Sequence, residues 1–91
     1  MSQANPADSV RFFAVVAQPN VGLPARVLDQ FAKRDLLPER FLSRVVDGAL
    51  LIDVECRDLD DVVAAHVRDV LQSFVGVDRV DLDTYRRSLA A

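Results

Sequence analysis

Few residues of this chain have the types and spacing that catalysis requires. His66 is the only histidine and Cys56 the only cysteine, and the sequence holds no Ser/His/Asp order, metal-ligand spacing or paired-carboxylate motif. His66 falls on an apolar helical stripe and Cys56 shares strand parity with apolar neighbours, so we expect a helix-edge packing residue and a buried small hydrophobe. Asp58, Asp60 and Asp61 fit a helix cap and its first turn better than a metal site. The sequence therefore predicts a protein that is not an enzyme and has no metal or cofactor.

Three other binding chemistries can be weighed at the turn formed by residues 18–23 and on the strands beside it. A soft metal would need a cysteine pair in this turn, which has none. A phosphate would need an arginine cradle there, but Arg26 lies one helical turn further on. Single-stranded RNA would need exposed aromatic residues and a basic surface, whereas the strand predicted at 49–56 has no aromatic residue and the net charge is −3. We expect no nucleic acid partner and neither of the other two ligands.

Length and composition indicate one small domain. The chain has 91 residues, of which 51% are hydrophobic and 27% are charged, as is usual for a soluble globular protein. No apolar run approaches the ~20 residues that span a bilayer. The first residues have neither the basic nor the apolar segment of a secretion signal. We therefore expect a cytoplasmic protein without a membrane partner.

The first third of the chain predicts a flexible leader, a strand and a helix. Residues 1–9 are small and polar and form the leader. Residues 11–17 form a bounded apolar run, typical of a central strand that is buried on both faces. After turn residues, apolar positions return at helical spacing over 23–34, and Pro24 falls in the first turn, where its missing N–H costs nothing.

The middle of the chain predicts a β-hairpin with a defined register. The dipeptide Asp47-Gly48 is a strong two-residue turn signal between strands at 39–46 and 49–56. Such a turn puts an almost wholly apolar set of residues on one face, and a slip of one residue would mix the faces. The predicted pairs are Val46–Ala49, Val45–Leu50, Arg44–Leu51, Ser43–Ile52, Leu42–Asp53, Phe41–Val54 and Arg40–Glu55.

The last third predicts a helix, an edge strand and a tail. Asp58 is the predicted N-cap of a helix that runs to about Phe74, with Gly76 near its C-terminal stop. Residues 77–83 alternate in part and carry charges, as edge strands do, and residues 84–91 form a short tail. The apolar stripe of the helix consists of Leu59, Val62, Val63, Val67, Val70, Leu71 and Phe74.

These elements follow the order β-α-β-β-α-β. With right-handed crossovers, both helices pack on one face of a four-stranded antiparallel sheet, which is the ferredoxin-like α+β fold. Apolar side chains gathered on an open sheet face mark a contact surface, so we expect a homodimer or a larger assembly. The apolar residues predicted on that open face are Leu42, Val46, Leu51 and one of Phe12 and Phe13.

The segment from Gly22 to Arg34 resembles the signature of the ACT domain family. That signature is a turn glycine followed by a helix of small and apolar residues that ends in Phe-Ala-basic-Arg, and here it reads Gly-Leu-Pro-Ala-Arg-Val-Leu-Asp-Gln-Phe-Ala-Lys-Arg. The order and the lengths of the predicted elements resemble those of the family over residues 10–83. It implies a regulatory domain whose copies pair side by side, with an amino acid bound between the first β–α loop of one copy and the second strand of the other. A free-standing copy of this size is also similar to the small regulatory subunit of acetolactate synthase.

The resemblance implies a ligand site at the first turn, formed by Asn20, Val21, Gly22 and Leu23, with Leu37 standing where the family often has an asparagine. Backbone N–H groups of this turn would favour a carboxylate, and Gly22 would let the ligand approach closely. The chain departs from the family in that Leu37 replaces the asparagine, and the proline does not directly precede the glycine. Asn20 is either a ligand contact or a turn former, and Gly22 is either a ligand-facing residue or one required by a positive φ.

Two functions follow from these residues. The first is an allosteric regulatory module that binds an amino acid at a subunit interface. The second is an interaction subunit that docks on a metabolic enzyme and has no ligand of its own. A rise in melting temperature with one amino acid would favour the first, because a ligand stabilises the folded state that binds it.

Overall fold

The computed structural model describes residues 9–86, which form six elements around one sheet. The elements are β1 (Ser9–Ala17), α1 (Leu23–Ala32), β2 (Arg40–Val46), β3 (Ala49–Cys56), α2 (Asp61–Gln72) and β4 (Val77–Arg86). The sheet has the order β2-β3-β1-β4 with antiparallel neighbours. The predicted ferredoxin-like α+β fold is confirmed. β1 begins at Ser9, inside the predicted leader, and β4 continues past the predicted boundary at residue 83. The rest of the predicted leader and tail, residues 1–8 and 87–91, lies outside the described residues.

The β2–β3 hairpin has the predicted register at every pair, from Val46–Ala49 to Arg40–Glu55. Asp47 and Gly48 both have positive φ, 51° and 80°, as the turn that matches the twist of a hairpin requires. The pattern of alternating residues thus defined this part of the sheet, because only one register keeps the two faces separate.

β1 lies in the middle of the sheet, as predicted, but it is fully buried on one face alone. Phe13, Val15 and Ala17 are buried beneath the helices, and each residue is at most 1% exposed. The other face carries Phe12 and Val16, which are half-buried. Helices cover only one side of the sheet, so the expectation of burial on both faces is wrong, and Phe12 is the phenylalanine on the open face.

Both helices are shorter than predicted. α1 ends at Ala32 instead of at residue 34, and α2 ends at Gln72 instead of Phe74. The N-cap of α2 is Asp60, whose Oδ1 accepts a hydrogen bond from the Val63 N–H at 2.8 Å. The predicted cap, Asp58, precedes the helix with a φ of 66°.

The buried side of α2 also differs from the predicted apolar stripe, which included Val62 and omitted Ala64. Ala64, Val67 and Leu71 form the buried side of the helix, whereas Val62 is 78% exposed. Val62 lies five residues before Val67, which places it about 140° around the helix from the buried side. An exposed valine at this position therefore has no packing role within the core.

Candidate functional site

The turn between β1 and α1 is organised by Asn20. The Oδ1 atom of Asn20 accepts a hydrogen bond from the Gly22 N–H at 2.8 Å, and its carbonyl accepts one from the Leu23 N–H at 3.1 Å. The turn is also fastened to the connection before β4, since the Gln18 N–H donates to the Gly76 carbonyl at 2.8 Å. In this structure Asn20 is a turn former, which is one of the two roles expected for it.

These hydrogen bonds reduce the number of backbone donors that the turn offers to a ligand. The N–H groups of Gly22 and Leu23 are both engaged with Asn20, and Pro24 has no N–H. Among residues 9–86, the N–H groups of Asn20, Val21 and Ala25 are left without a protein acceptor. The expectation that Gly22 and Leu23 present free N–H groups to a carboxylate is therefore wrong for this conformation.

Neither the backbone conformation nor the packing of this chain requires glycine at position 22. Its φ of −87° and ψ of −11° are ordinary for any residue, so the alternative of a required positive φ is wrong. A Cβ atom at this position would lie 3.5 Å from Asn20 Oδ1, an ordinary contact. Gly22 is the N-cap residue of α1, where glycine is common, and the missing side chain also leaves room for a second molecule to approach the backbone.

The structure divides the predicted turn residues by exposure. Val21 is fully exposed and Gly22 is exposed beside it, whereas the Leu23 side chain is 1% exposed and belongs to the core. Val21 and Gly22 can therefore contact a ligand or a neighbouring chain. Leu23 can contribute only through its backbone.

Leu37 lies far from this turn within one chain. It is 88% exposed, and its carbonyl oxygen lies 3.9 Å from the Cys56 sulfur. Cys56 pairs with Arg11 near the start of β1, whereas the turn follows the end of that strand. Leu37 and Gly22 are therefore at opposite ends of the sheet, and one site can include both only if a second copy supplies one of them.

The two side chains that are most often reactive in proteins, a cysteine and a histidine, have different surroundings here. Cys56 is fully buried, as expected, and this burial, together with the nearby Asp58 and Glu39 carboxylates, raises the pKa of its thiol to about 11. His66 is exposed, contrary to the expected packing role. Among residues 9–86 no group of three or more histidine, cysteine or acidic side chains is placed to hold a metal ion. In the same part of the chain no helix has the length and apolar character to span a membrane.

His66 lines a surface cleft that the sequence analysis did not predict. The cleft has a volume of about 440 Å³ and is lined by Arg34, Leu36, Asp58, Val62, Val63 and His66. It was missed because three separate segments form it: the residues after α1, those before α2, and the first turns of α2. The one signal in the sequence was Val62, which helical geometry places away from the core.

Comparison with known proteins establishes the fold. No protein-family model matches the sequence, and no curated protein is significantly similar to it. The ACT domain from the GTP pyrophosphokinase of Chlorobium tepidum superposes with a TM-score of 0.71 and 15% identity over 81% of this chain and 96% of that chain. The C-terminal domain of the MgtC protein from Mycobacterium tuberculosis superposes with a TM-score of 0.73 and 11% identity over 96% of this chain and 98% of that chain.

The predicted likeness to an ACT domain is thus confirmed at the level of the fold. A de novo designed protein shares the same fold, with a TM-score of 0.60 and 16% identity over 88% of this chain and 98% of that chain. A fold that occurs in a designed protein as well as in an ACT domain does not by itself define a function, so the function must be argued from the site. The similarity to the acetolactate synthase subunit stays a prediction.

Proposed function

We propose that this chain is a non-catalytic, ACT-like regulatory module that binds an amino acid where two copies meet. The β1–α1 turn of one copy, with Asn20, Val21, Gly22 and the Leu23 backbone, would face β2 and Leu37 of the second copy. A two-fold axis that pairs the β2 edges antiparallel brings the Leu37 end of one sheet to the same side as the turn of the other. This arrangement would unite residues that one chain holds apart.

The observation that carries this function is the environment of Gly22. Neither its φ nor the space around it requires glycine, and the adjacent Val21 is fully exposed. In a surface turn that contacts nothing, a fully exposed valine would not stabilise the fold, and the backbone does not require the glycine beside it. Contact with a ligand or a second chain accounts for both residues.

A thermal-shift panel of the natural amino acids tests this function. We expect one amino acid to raise the melting temperature of the wild-type protein, because it binds the folded state. Gly22→Leu should lower the rise while leaving the fold intact, since its backbone conformation suits leucine. Ala32→Leu, which also introduces a leucine at an exposed position, at the other end of α1, should retain the full response.

Two results would contradict the amino-acid site at the turn. One is the absence of a shift with any amino acid, and the other is an undiminished shift in the Gly22→Leu variant. In the second case the ligand binds, but it binds elsewhere on the molecule.

The alternative function, an interaction subunit that docks on a metabolic enzyme without a ligand, is favoured by one observation. Asn20 already occupies the Gly22 and Leu23 N–H groups that a carboxylate would use. A turn that satisfies its own donors suits a protein contact as well as a ligand. Copurification with a large enzyme, together with no thermal shift in the panel, would support this alternative.

A further inference from the structure

The cleft between the end of α1 and the start of α2 has the dimensions of a ligand site. Its volume of about 440 Å³ lies within the range of small-molecule pockets, roughly 300–1,000 Å³. Asp58, in its lining, follows Cys56, which pairs with Arg11 near the start of β1. The cleft is therefore at the end of the sheet opposite to the β1–α1 turn, and the two sites can be tested separately.

The acidic side of the cleft is formed by Asp58. This residue is exposed and has a φ of 66°, a left-handed conformation that a non-glycine residue adopts at a cost in energy. No hydrogen bond or ion pair to its carboxylate exists among the described side chains and backbone groups. The backbone thus holds at the cleft a negative charge that is available to pair with a ligand.

The basic side of the cleft is formed by Arg34, whose position is fixed by its neighbours. Its Nη1 atom donates to the Gln30 carbonyl at 2.7 Å and to Gln30 Oε1 at 3.2 Å, and Gln30 is only 7% exposed. A side chain that is already held loses less entropy when it binds a ligand. The guanidinium has five N–H donors, so several stay available for a carboxylate.

Arg34 and Asp58 line the same cleft but make no ion pair with each other. Neither charge is therefore neutralised by the other, and a ligand that enters between them would meet one charge of each sign. Between the charges lie apolar side chains: half-buried Leu36 and Val63, and Val62, which is 78% exposed. An apolar group of a ligand bound between the two unpaired charges would cover this exposed valine and remove its surface from water.

We propose that this cleft binds a small zwitterion with a short apolar side chain, which is the chemistry of an aliphatic α-amino acid. The ligand carboxylate would accept hydrogen bonds from Arg34, and its ammonium group would donate to the Asp58 carboxylate. Its side chain would pack on Leu36, Val62 and Val63, with His66 at the edge. The cleft would then sense an aliphatic amino acid at a site that one chain forms alone.

An NMR titration of the ¹⁵N-labelled full chain with L-leucine tests this site. We expect saturable shifts of backbone amide signals at residues 34–36 and 58–66. 4-Methylpentanoate, which is leucine without the ammonium group, and isoamylamine, which is leucine without the carboxylate, should each bind at least about tenfold more weakly, because each leaves one charge of the cleft unpaired.

Two pairs of variants separate the cleft charges from general effects. Arg34→Gln and Asp58→Asn should each weaken L-leucine binding about tenfold or more. Lys33→Gln is the control for the first, since Lys33 is exposed and does not line the cleft. Asp35→Asn is the control for the second, because Asp35 has the same left-handed backbone, with φ 60°, and lies outside the cleft.

This site would be overturned by no saturable shift with L-leucine, by binding of either single-charge analogue as tight as that of L-leucine, or by full binding of L-leucine to Arg34→Gln and Asp58→Asn. Shifts confined to residues 18–25 would also overturn it, and they would support the β1–α1 turn as the ligand site. Shifts at the cleft that persist in Gly22→Leu would support the cleft and leave the turn without a ligand.

Discussion

At the scale of single residues, Arg11 is the least expected feature of the fold. It stands at the start of the central strand, yet only 8% of it is exposed. Its Nε donates to the Leu59 carbonyl at 3.1 Å, its Nη1 donates to Thr84 Oγ1 at 2.8 Å, and its Nη2 lies 2.9 Å from Asp61 Oδ1. One guanidinium therefore connects β1 to the segment before α2, to α2 itself and to β4.

Replacing Arg11 should destabilise the protein more than replacing its acidic partner. Arg11→Ala leaves the Leu59 carbonyl without its donor and removes the buried stem, so we expect a loss of about 2–4 kcal/mol in the free energy of unfolding. Asp61→Asn should cost about 1 kcal/mol or less, because the Asp61 carboxylate is 92% exposed. Urea denaturation of the two variants measures the difference. Equal losses would show that the ion pair, and not the buried hydrogen bonds, is the stabilising contact.

Cys56 should be an inert thiol, and its burial should make stability depend on pH. Burial raises the pKa of the Cys56 thiol from 9.0 to about 11 in the folded protein. As the pH rises above 9, the unfolded chain loses this proton first, so the free energy of unfolding should fall between pH 9 and about 11. Below pH 9 this group has no such effect, since its thiol is protonated in both states.

Two measurements check this behaviour of Cys56. Iodoacetamide at pH 8.5 should modify the folded protein at least about tenfold more slowly than the protein in urea, because the thiolate is the reactive form. The decline in unfolding free energy above pH 9 should be smaller in Cys56→Ala than in the wild type. Fast alkylation of the folded protein, or the same decline in both proteins, would contradict the raised pKa.

At the scale of elements, the hairpin and the sheet order could be predicted because the sequence pattern has one consistent solution. In the hairpin, alternating residues and the Asp47-Gly48 turn specify the same register. The order of elements and the handedness of crossovers then leave one arrangement of the four strands.

The start of α2 could not be predicted in the same way. Asp58 and Asp60 are equally good caps by residue type, and the choice depends on Leu59, which is buried before the helix begins. The buried Leu59 lies between the left-handed Asp58 and the cap at Asp60. Tertiary packing of one leucine thus decided where the element starts.

The two candidate sites differ in how far the sequence could define them. The β1–α1 turn was predicted as a segment, but the hydrogen bonds of Asn20 decide which N–H groups are free, and they depend on the three-dimensional turn. The cleft depends on contacts between segments that are more than twenty residues apart in sequence, such as Arg34 and Asp58. Spacing along the chain carries no information about such a site.

At the scale of the whole molecule, the edge strand β2 exposes three apolar residues. Val45 is 64% exposed on the helix side of the sheet, and Leu42 and Val46 are 37% and 38% exposed on the open side. An edge strand with unpaired backbone groups and apolar side chains on both faces is a template for pairing with another strand. The two arginines within β2 lie on the open side and make long ion pairs: Arg44 is 4.0 Å from Asp53, and Arg40 is 3.8 Å from Glu55.

We therefore expect the wild-type protein to form a dimer through β2 at micromolar concentration. Val45→Lys should weaken this dimer at least about tenfold, because a lysine on an edge strand opposes pairing. Val75→Lys is the matched control: Val75 is 88% exposed and lies between α2 and β4, away from β2. Light scattering coupled to size exclusion measures the mass of the wild type and of the Val45→Lys, Val75→Lys and Leu51→Lys variants. A wild-type monomer would contradict association, whereas a dimer that survives Val45→Lys and dissociates in Leu51→Lys would place the contact on the open face of the sheet. In a dimer formed through the open face, the β1–α1 turn of one copy would not meet β2 of the other. That result would therefore contradict the shared ligand site of the proposed regulatory function.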